Sequence, residues 1–239
     1  MTDKPLSGLS IQFATPCVDG TYVRRFCSSF HNTACVLIEM GAKIDWAEMP
    51  GCADLGLARS KLFSNFLRSN HDLVMWIDAD MYWEPYDVVR LILEKKDFIG
   101  AAGPKKVWPP SFATNNCNED GEYLGLQQEG QLLKVTELGF AFVLLSRACA
   151  QKMADHYQDL KFPGDHGLDE YALFDSFFVG DGAKKRRLSE DFAFCWRWNR
   201  IGGEIFILPD IRLGHVGTHT WEGALIDTLQ GEAHEEKKT

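Results

Sequence analysis

Apolar positions along the first hundred residues switch between two spacings. Leu9 to Thr15 reads as a strand, and from about Tyr22 to Met40 the residues Phe26, Phe30, Ala34 and Leu37 recur at helical spacing until Gly41 stops them. Lys43 to Trp46 predicts a short second strand. There follow a helix over about Leu55 to Arg68, a wholly apolar strand over Leu73 to Ile77, a helix opened by Pro85 and running to Lys95, and a strand over Asp97 to Ala102. Strands alternating with helices in this way predict a mostly parallel sheet covered on both faces.

Beyond Gly103 the rhythm changes. Trp108-Pro109-Pro110 and the polar stretch to Asp120 predict a loop, and EYLGLQQEGQLLKVTELGFAFVLL predicts shorter, hairpin-type strands with turns at Gly130 and Gly139. A helix is predicted from about Ser146 to Tyr157. Residues 162–187 carry charges and glycines without a period, and a stretch of that length with no element of its own is usually functional or mobile. Ser189 then caps a helix that ends at Gly202-Gly203, and Glu204 to Leu208 and Ile211 to His215 predict closing strands.

Composition narrows this picture without redirecting it. No Gly/Ser or Pro linker divides the 239 residues, so one domain over 1–239 is expected, with a flexible polar tail from about 229 to 239. A hydrophobic content of 45% is ample for a core. The net charge of -9 argues against a nonspecific nucleic-acid binder, while leaving room for local basic patches. Seven scattered cysteines form no CxxC pair, which points away from a disulfide framework or a cysteine-type zinc site and toward a reducing compartment. MTDKPLSGLSIQF lacks the basic and apolar regions of a signal peptide, and no apolar run approaches the roughly 18 residues of a membrane span. A cytoplasmic protein without an integral membrane segment is the expectation.

The candidate chemistry sits at the end of the apolar strand, in LVMWIDADMYWEP. Two Asp separated by one residue project to the same side of an extended backbone, so Asp78 and Asp80 are placed to converge on one cation. Ligands of open α/β sheets bind outside the carboxyl ends of strands, where these two fall. A solvated turn in which Asp caps the following helix is the other reading of the same residues. Four consecutive cations, Lys184 to Arg187, read either as a solvated loop or as a lid over an anionic ligand. Trp83, Trp108, Trp196, Trp198 and Trp221 are each a core residue or a platform for a sugar or base.

GLARSKLFSNFLRSNHDLVMWIDADMYWEPYDVVRLIL resembles the metal-binding core of the GT-A fold, DxD-containing nucleotide-sugar glycosyltransferases of the family-2-like kind. The resemblance extends to IQFATP, LGFAFVLLSR and SEDFAFCWRWNRIGGEIFILPDIRLGHVG, in order, over most of residues 9 to 217. It implies an α/β, Rossmann-like, mostly parallel central sheet flanked by helices, with a small antiparallel acceptor-side portion. It also implies a metal-dependent transfer of a sugar from a nucleotide-sugar donor to an acceptor hydroxyl, with inversion favoured. The acceptor would be a glycan, a small molecule or a modified nucleic-acid base.

Residue by residue, the resemblance assigns Mn²⁺ or Mg²⁺ to Asp78, Asp80 and His215, with His219 as a competing ligand. Thr15, Pro16 and Arg59, with the two Asp, would contact the donor, and Gly139 would admit the acceptor. Asp191 would act as general base, with Glu190 as its alternate; an acidic pair in a first helical turn is also favoured by the helix dipole alone. Two other readings compete. A haloacid-dehalogenase-like phosphatase also ends a strand in DxD and has a late motif half echoed by Gly180-Asp181-Gly182, although Lys185 replaces that motif's final Asp. A non-catalytic nucleotide-sugar-binding protein would share the fold.

Overall fold

A computed structural model describes residues 4–229; the predicted tail lies outside them from residue 230 onward. The alternating start of the chain forms as the pattern predicts. Strand β1 (Ser10–Cys17) leads to helix α1 (Arg24–Glu39), β2 (Lys43–Pro50), α2 (Leu55–Arg68) and β3 (Leu73–Ile77). A two-residue strand, β4 (Met81–Tyr82), precedes α3 (Pro85–Leu93) and β5 (Phe98–Gly100). Helices α4 (Arg147–His156) and α5 (Glu190–Arg200) lie in the second half.

One eight-stranded sheet gathers strands from both halves, in the order β2, β1, β3, Phe142–Ser146, β5, Ile205–Ile207, Leu132–Val135, Gln127–Glu129. Strands β2, β1 and β3 are parallel neighbours, as are β5 and Ile205–Ile207. Phe142–Ser146 runs antiparallel to both β3 and β5 between which it lies. The last three strands alternate in direction. This is the mixed, mostly parallel α/β architecture with small antiparallel sheets at its margin that the sequence predicts.

Both faces are covered, and the two-residue period of the inner strands explains how. In β3, Val74 and Trp76 face one layer while Met75 and Ile77 face the other; Val143 and Leu145 alternate with Phe142 and Leu144 in the same way. Helices α2, α4 and α5 bury Phe63, Phe66, Met153, Phe194 and Trp198 on the first face. Helices α1 and α3 bury Phe26, Leu37, Val88 and Leu91 on the second. Each such side chain contributes about 1.5–3 kcal/mol through the water it sheds.

Three local differences from the sequence reading have physical causes. β2 extends to Pro50 rather than Trp46, and as an edge strand with no buried position it lacks the continuous apolar run that marks the inner strand β3. Gly130 turns the hairpin between Gln127–Glu129 and Leu132–Val135 with a positive φ of 60°, but Gly139 makes no hairpin turn, because Phe142–Ser146 leaves for the sheet centre. The stretch 162–187 contains two small antiparallel pairs, Lys161–Pro163 with Asp169–Tyr171 and Phe178–Val179 with Arg186–Arg187. Among the described residues no helix is long and apolar enough to cross a membrane.

Helix α3 carries a titratable cap. Glu84 and Asp87 form a reciprocal capping box, with the Glu84 N–H donating to Asp87 Oδ2 at 3.2 Å. Burial pushes the Asp87 carboxyl up to about 6, with Glu84 N–H and Arg90 opposing. Its folded value therefore lies above its unfolded one, so its contribution to stability is full below about pH 4 and is lost as pH rises through about 6. Between pH 4 and pH 7 the stability of Asp87→Asn should accordingly shift upward relative to wild type, as read by urea midpoints. A gap that stays flat, or moves the other way, would contradict this assignment.

Candidate functional site

Strand β3 ends at Ile77, and the backbone turns at once, with the Met81 N–H donating to the Asp78 carbonyl at 3.1 Å. That turn corrects the expectation of two carboxylates side by side on an extended chain. Asp78 and Asp80 diverge to different partners. Asp78 accepts from Arg59 Nη2 at 3.0 Å; Asp80 Oδ2 lies 3.2 Å from His215 Nε2 and accepts from Lys106 Nζ at 2.5 Å.

His215 reaches Asp80 through strand pairing. Leu213–Val216 runs antiparallel to β4, with His215 opposite Met81 and Gly214 opposite Tyr82, and the Val216 N–H donates to the Asp80 carbonyl at 2.9 Å. Gly214 is what permits this register. A Cβ there would stand 1.9 Å from the Tyr82 ring, closer than any side chain tolerates. The other ring nitrogen of His215, Nδ1, donates to the Pro104 carbonyl at 2.8 Å, which fixes the imidazole and directs Nε2 at Asp80.

Electrostatics at this pair are mutual. Burial raises the Asp80 carboxyl, but hydrogen bonds from His215 and Lys106 outweigh it and hold the group below its ordinary value. Burial lowers the His215 imidazole, and there too the bond to Asp80 and the Pro104 carbonyl win, holding it above its usual range. His219, the competing ligand, is exposed and meets Trp221 edge-on with ring centres 5.3 Å apart.

The turn opens into a cleft of about 490 Å³, lined by Pro16, Tyr22, Cys52, Asp78, Asp80 and His215 among others. It sits where the carboxyl ends of β1 and β3 meet the loop after β1 and the segment leading into α2, the position at which open α/β sheets bind ligands. Of the two predicted residues at the end of β1, Pro16 lines this cleft. Thr15 is buried, and its Oγ1 accepts from Trp46 Nε1 at 3.2 Å, a packing role.

Arg59 does not line the cleft. It lies 2% exposed beneath it, bonded to Asp78, with Nε 3.7 Å from Glu190 Oε1 and its guanidinium 5.5 Å from the centre of the Phe140 ring. The sequence predicts a fork toward the nucleotide; the structure gives Arg59 a positioning role through Asp78 and Glu190. Burial raises both the Asp78 and the Glu190 carboxyls, and Arg59 opposes each rise.

Asp191 completes the group. Ser189 is the residue before α5, but its hydroxyl does not cap the helix; it bonds to Asp191 Oδ1, which also accepts from the Phe192 N–H at 2.8 Å. Asp191 Oδ2 faces Gly139, where an added Cβ would stand 3.3 Å from that oxygen and 2.9 Å from Ala113 Cβ. Gly139 is thus brought to the predicted base, and its lack of a side chain keeps both Asp191 and Ala113 in place.

The four cations at 184–187 are spent on structure more than the lid reading supposes. Lys184 pairs with Asp120 and Glu122, Arg186 with the buried Glu137 at 2.6 Å, and Lys185 lies over the Phe178 ring. Arg187 instead borders a second, polar cleft with Asp175, Ser176 and Glu190, adjoining the first through Ala53 and Leu55. Asp181, of the phosphatase-like echo, is exposed and lines neither cleft. Among the tryptophans, Trp76, Trp83 and Trp198 are buried, whereas Trp108 is 82% exposed.

Sequence reasoning missed Lys106. A single lysine in a proline-rich loop has no period or spacing to mark it, and only the folded loop carries it to Asp80. Among the described residues, no group of three or more His, Cys, Asp and Glu side chains gathers as a metal site. Asp80 and His215 nonetheless suit Mn²⁺ or Mg²⁺: such ions take one or two protein ligands when phosphate oxygens supply the rest, and a ligating His commonly donates its second N–H to a carbonyl.

No family model matches the chain, and no curated protein matches it. Solved structures do, and two illustrate the likeness. The crystal structure of A197 from STIV is 13% identical, with a TM-score of 0.54, over 87% of this chain and 86% of that one. GalNAc-T7 with UDP, GalNAc and Mn²⁺ is 10% identical, with a TM-score of 0.46, over 87% of this chain but 44% of that one. At such identities the likeness concerns the fold alone.

Arg59 yields a stability prediction. Replacing it by Met leaves Asp78 and Glu190 facing each other without their cation, and breaking a buried ion pair in this way costs about 3–5 kcal/mol. Urea unfolding should register that loss, with Arg59→Lys retaining part of it. Wild-type stability in Arg59→Met would remove Arg59 from its positioning role.

Proposed function

We propose that the protein is a glycosyltransferase that moves a sugar from a nucleotide-sugar donor to an acceptor hydroxyl. The observation that carries this reading is the Asp80–His215 pair lining the cleft beside the ends of β1 and β3, with the Asp78 and Glu190 carboxylates paired to Arg59 next to it and Asp191 following Glu190 in the first turn of α5. Asp80 and His215 would hold a divalent cation, Mn²⁺ or Mg²⁺, whose chemistry is to neutralise the leaving diphosphate as a Lewis acid. Pro16 and Tyr22 line the same cleft, with Tyr22 supplying an aromatic wall to the donor.

Asp191 is the proposed general base, and Glu190 its alternate. In support of Asp191, one carboxylate oxygen is anchored by Ser189 and the Phe192 N–H, while the other faces Gly139; a base held in this way is oriented before the acceptor arrives. In support of Glu190, burial raises its carboxyl and it borders the adjoining polar cleft, which suits a hydroxyl-rich acceptor such as a glycan or a small polyol. An Asp191 base would take the acceptor's proton as the sugar is transferred with inversion.

Thermal unfolding in the presence of UDP-, GDP-, CMP- and dTDP-sugars, with and without Mn²⁺, tests the reading. One nucleotide class should raise the midpoint when Mn²⁺ is present, because a ligand bound only by the folded state adds about 2.7 kcal/mol at a hundred times its Kd. Asp80→Ala should abolish the Mn²⁺-supported shift. Asp191→Asn should keep it and lose roughly 10²–10⁴-fold in transfer rate. If none of the four classes shifts the wild-type midpoint, or if Asp80→Ala turns over normally, the protein does not work in this way.

A further inference from the structure

The loop after β5 grips both members of the proposed cation pair. The Pro104 carbonyl accepts from His215 Nδ1 at 2.8 Å, and two residues later Lys106 Nζ donates to Asp80 Oδ2 at 2.5 Å, the same oxygen that faces His215 Nε2 at 3.2 Å. The Lys106 stem runs past Gly217, where a Cβ would stand 3.3 Å from its Cδ and 3.5 Å from its Cε. The lysine side chain is 37% exposed, so its ammonium has solvent to move into. Beyond it the loop folds back, with the Lys105 N–H donating to the Ser111 carbonyl at 2.7 Å, and carries the exposed Trp108.

We propose that Lys106 gates the cation site: its ammonium occupies the place beside Asp80 that a divalent ion takes, so the ion binds only when Lys106 withdraws. This rests on the reading of Asp80 and His215 as the cation pair. The argument is one of charge and space. Asp80 Oδ2 already has an ammonium at contact distance and an imidazole beside it, and a dication added to the same oxygen would lie next to both. Unlike His215, which strand pairing holds in register, Lys106 sits on a flexible stem in a loop and is the partner free to leave. A withdrawn Lys106 remains at the cleft mouth, within reach of the anionic diphosphate that arrives with the ion.

Mn²⁺ titration of the nucleotide-free protein, followed by the loss of free-ion electron paramagnetic resonance signal, tests the gate directly. Lys106→Met keeps the stem against Gly217 and removes the charge; it should bind Mn²⁺ roughly ten- to a hundredfold more tightly than wild type, the range by which groups flanking a metal site alter affinity. Lys106→Arg, which keeps the charge, should not gain. Equal or weaker binding by Lys106→Met, or no Mn²⁺ binding by either protein, overturns the gate. The transferase reading is judged separately, by whether nucleotide sugars bind. A Lys106→Met protein that gains Mn²⁺ while neither protein binds any nucleotide sugar upholds the gate and sinks the transferase. One that binds nucleotide sugar with wild-type Mn²⁺ affinity does the reverse.

Discussion

Asp80 Oδ2 faces the Lys106 ammonium and the His215 imidazole at once, and the site is arranged about that oxygen. Four carboxylates, Asp78, Asp80, Glu190 and Asp191, collect near the carboxyl edge of the sheet, and burial raises the cost of the charge on Asp78, Asp80 and Glu190. The compensation is divided. Arg59, sealed beneath the cleft, serves Asp78 and Glu190 permanently, whereas Lys106 and His215 serve Asp80 from partly exposed positions. A permanent cation stabilises; a removable one leaves Asp80 available to a ligand. That division is the physical ground for placing chemistry at Asp80 and a positioning role at Arg59.

The fold supplies this arrangement from distant segments. Asp80 and His215 are 135 residues apart in sequence and meet because Leu213–Val216 pairs with the two-residue strand that follows the turn. Gly214 is the narrowest requirement in that pairing, since the Tyr82 ring occupies the space its side chain would take. On the other flank, α5 starts at Glu190 close against Gly139, so the same packing that closes the core also places Asp191. A cleft therefore forms at the edge where parallel β1 and β3 end, and the Lys106 loop reaches it through Asp80.

Much of this was legible in the sequence. Leu73–Ile77 and Leu55–Arg68 form with the predicted bounds, the first because an unbroken apolar run is a strong local signal and the second with Asp54 capping it by accepting from the Leu57 N–H at 3.1 Å. The α/β class followed from the alternation they belong to, and the meeting of Asp80 with His215 followed from the family resemblance. What was not legible depends on tertiary context. The insertion of Phe142–Ser146 antiparallel between β3 and β5 leaves no mark, since a buried apolar run reads the same in either direction. The side-by-side geometry of Asp78 and Asp80 assumed an extended chain through residue 80, whereas β3 ends at Ile77. Ser189 was read as a helix cap from its residue type alone, yet its hydroxyl goes to Asp191. Lys106 acquires its role only when the loop folds over the strand end, a contact that no local pattern encodes.

The central claim is that Asp80 and His215 hold a divalent ion in company with a nucleoside diphosphate. Anomalous diffraction at the manganese edge, from crystals soaked with Mn²⁺ and the nucleoside diphosphate that stabilises the protein, tests it most directly. The account predicts one peak at about 2.0–2.3 Å from both a carboxylate oxygen of Asp80 and Nε2 of His215, with Lys106 withdrawn from Asp80. A peak elsewhere, or none while Lys106 remains bonded to Asp80, would contradict it.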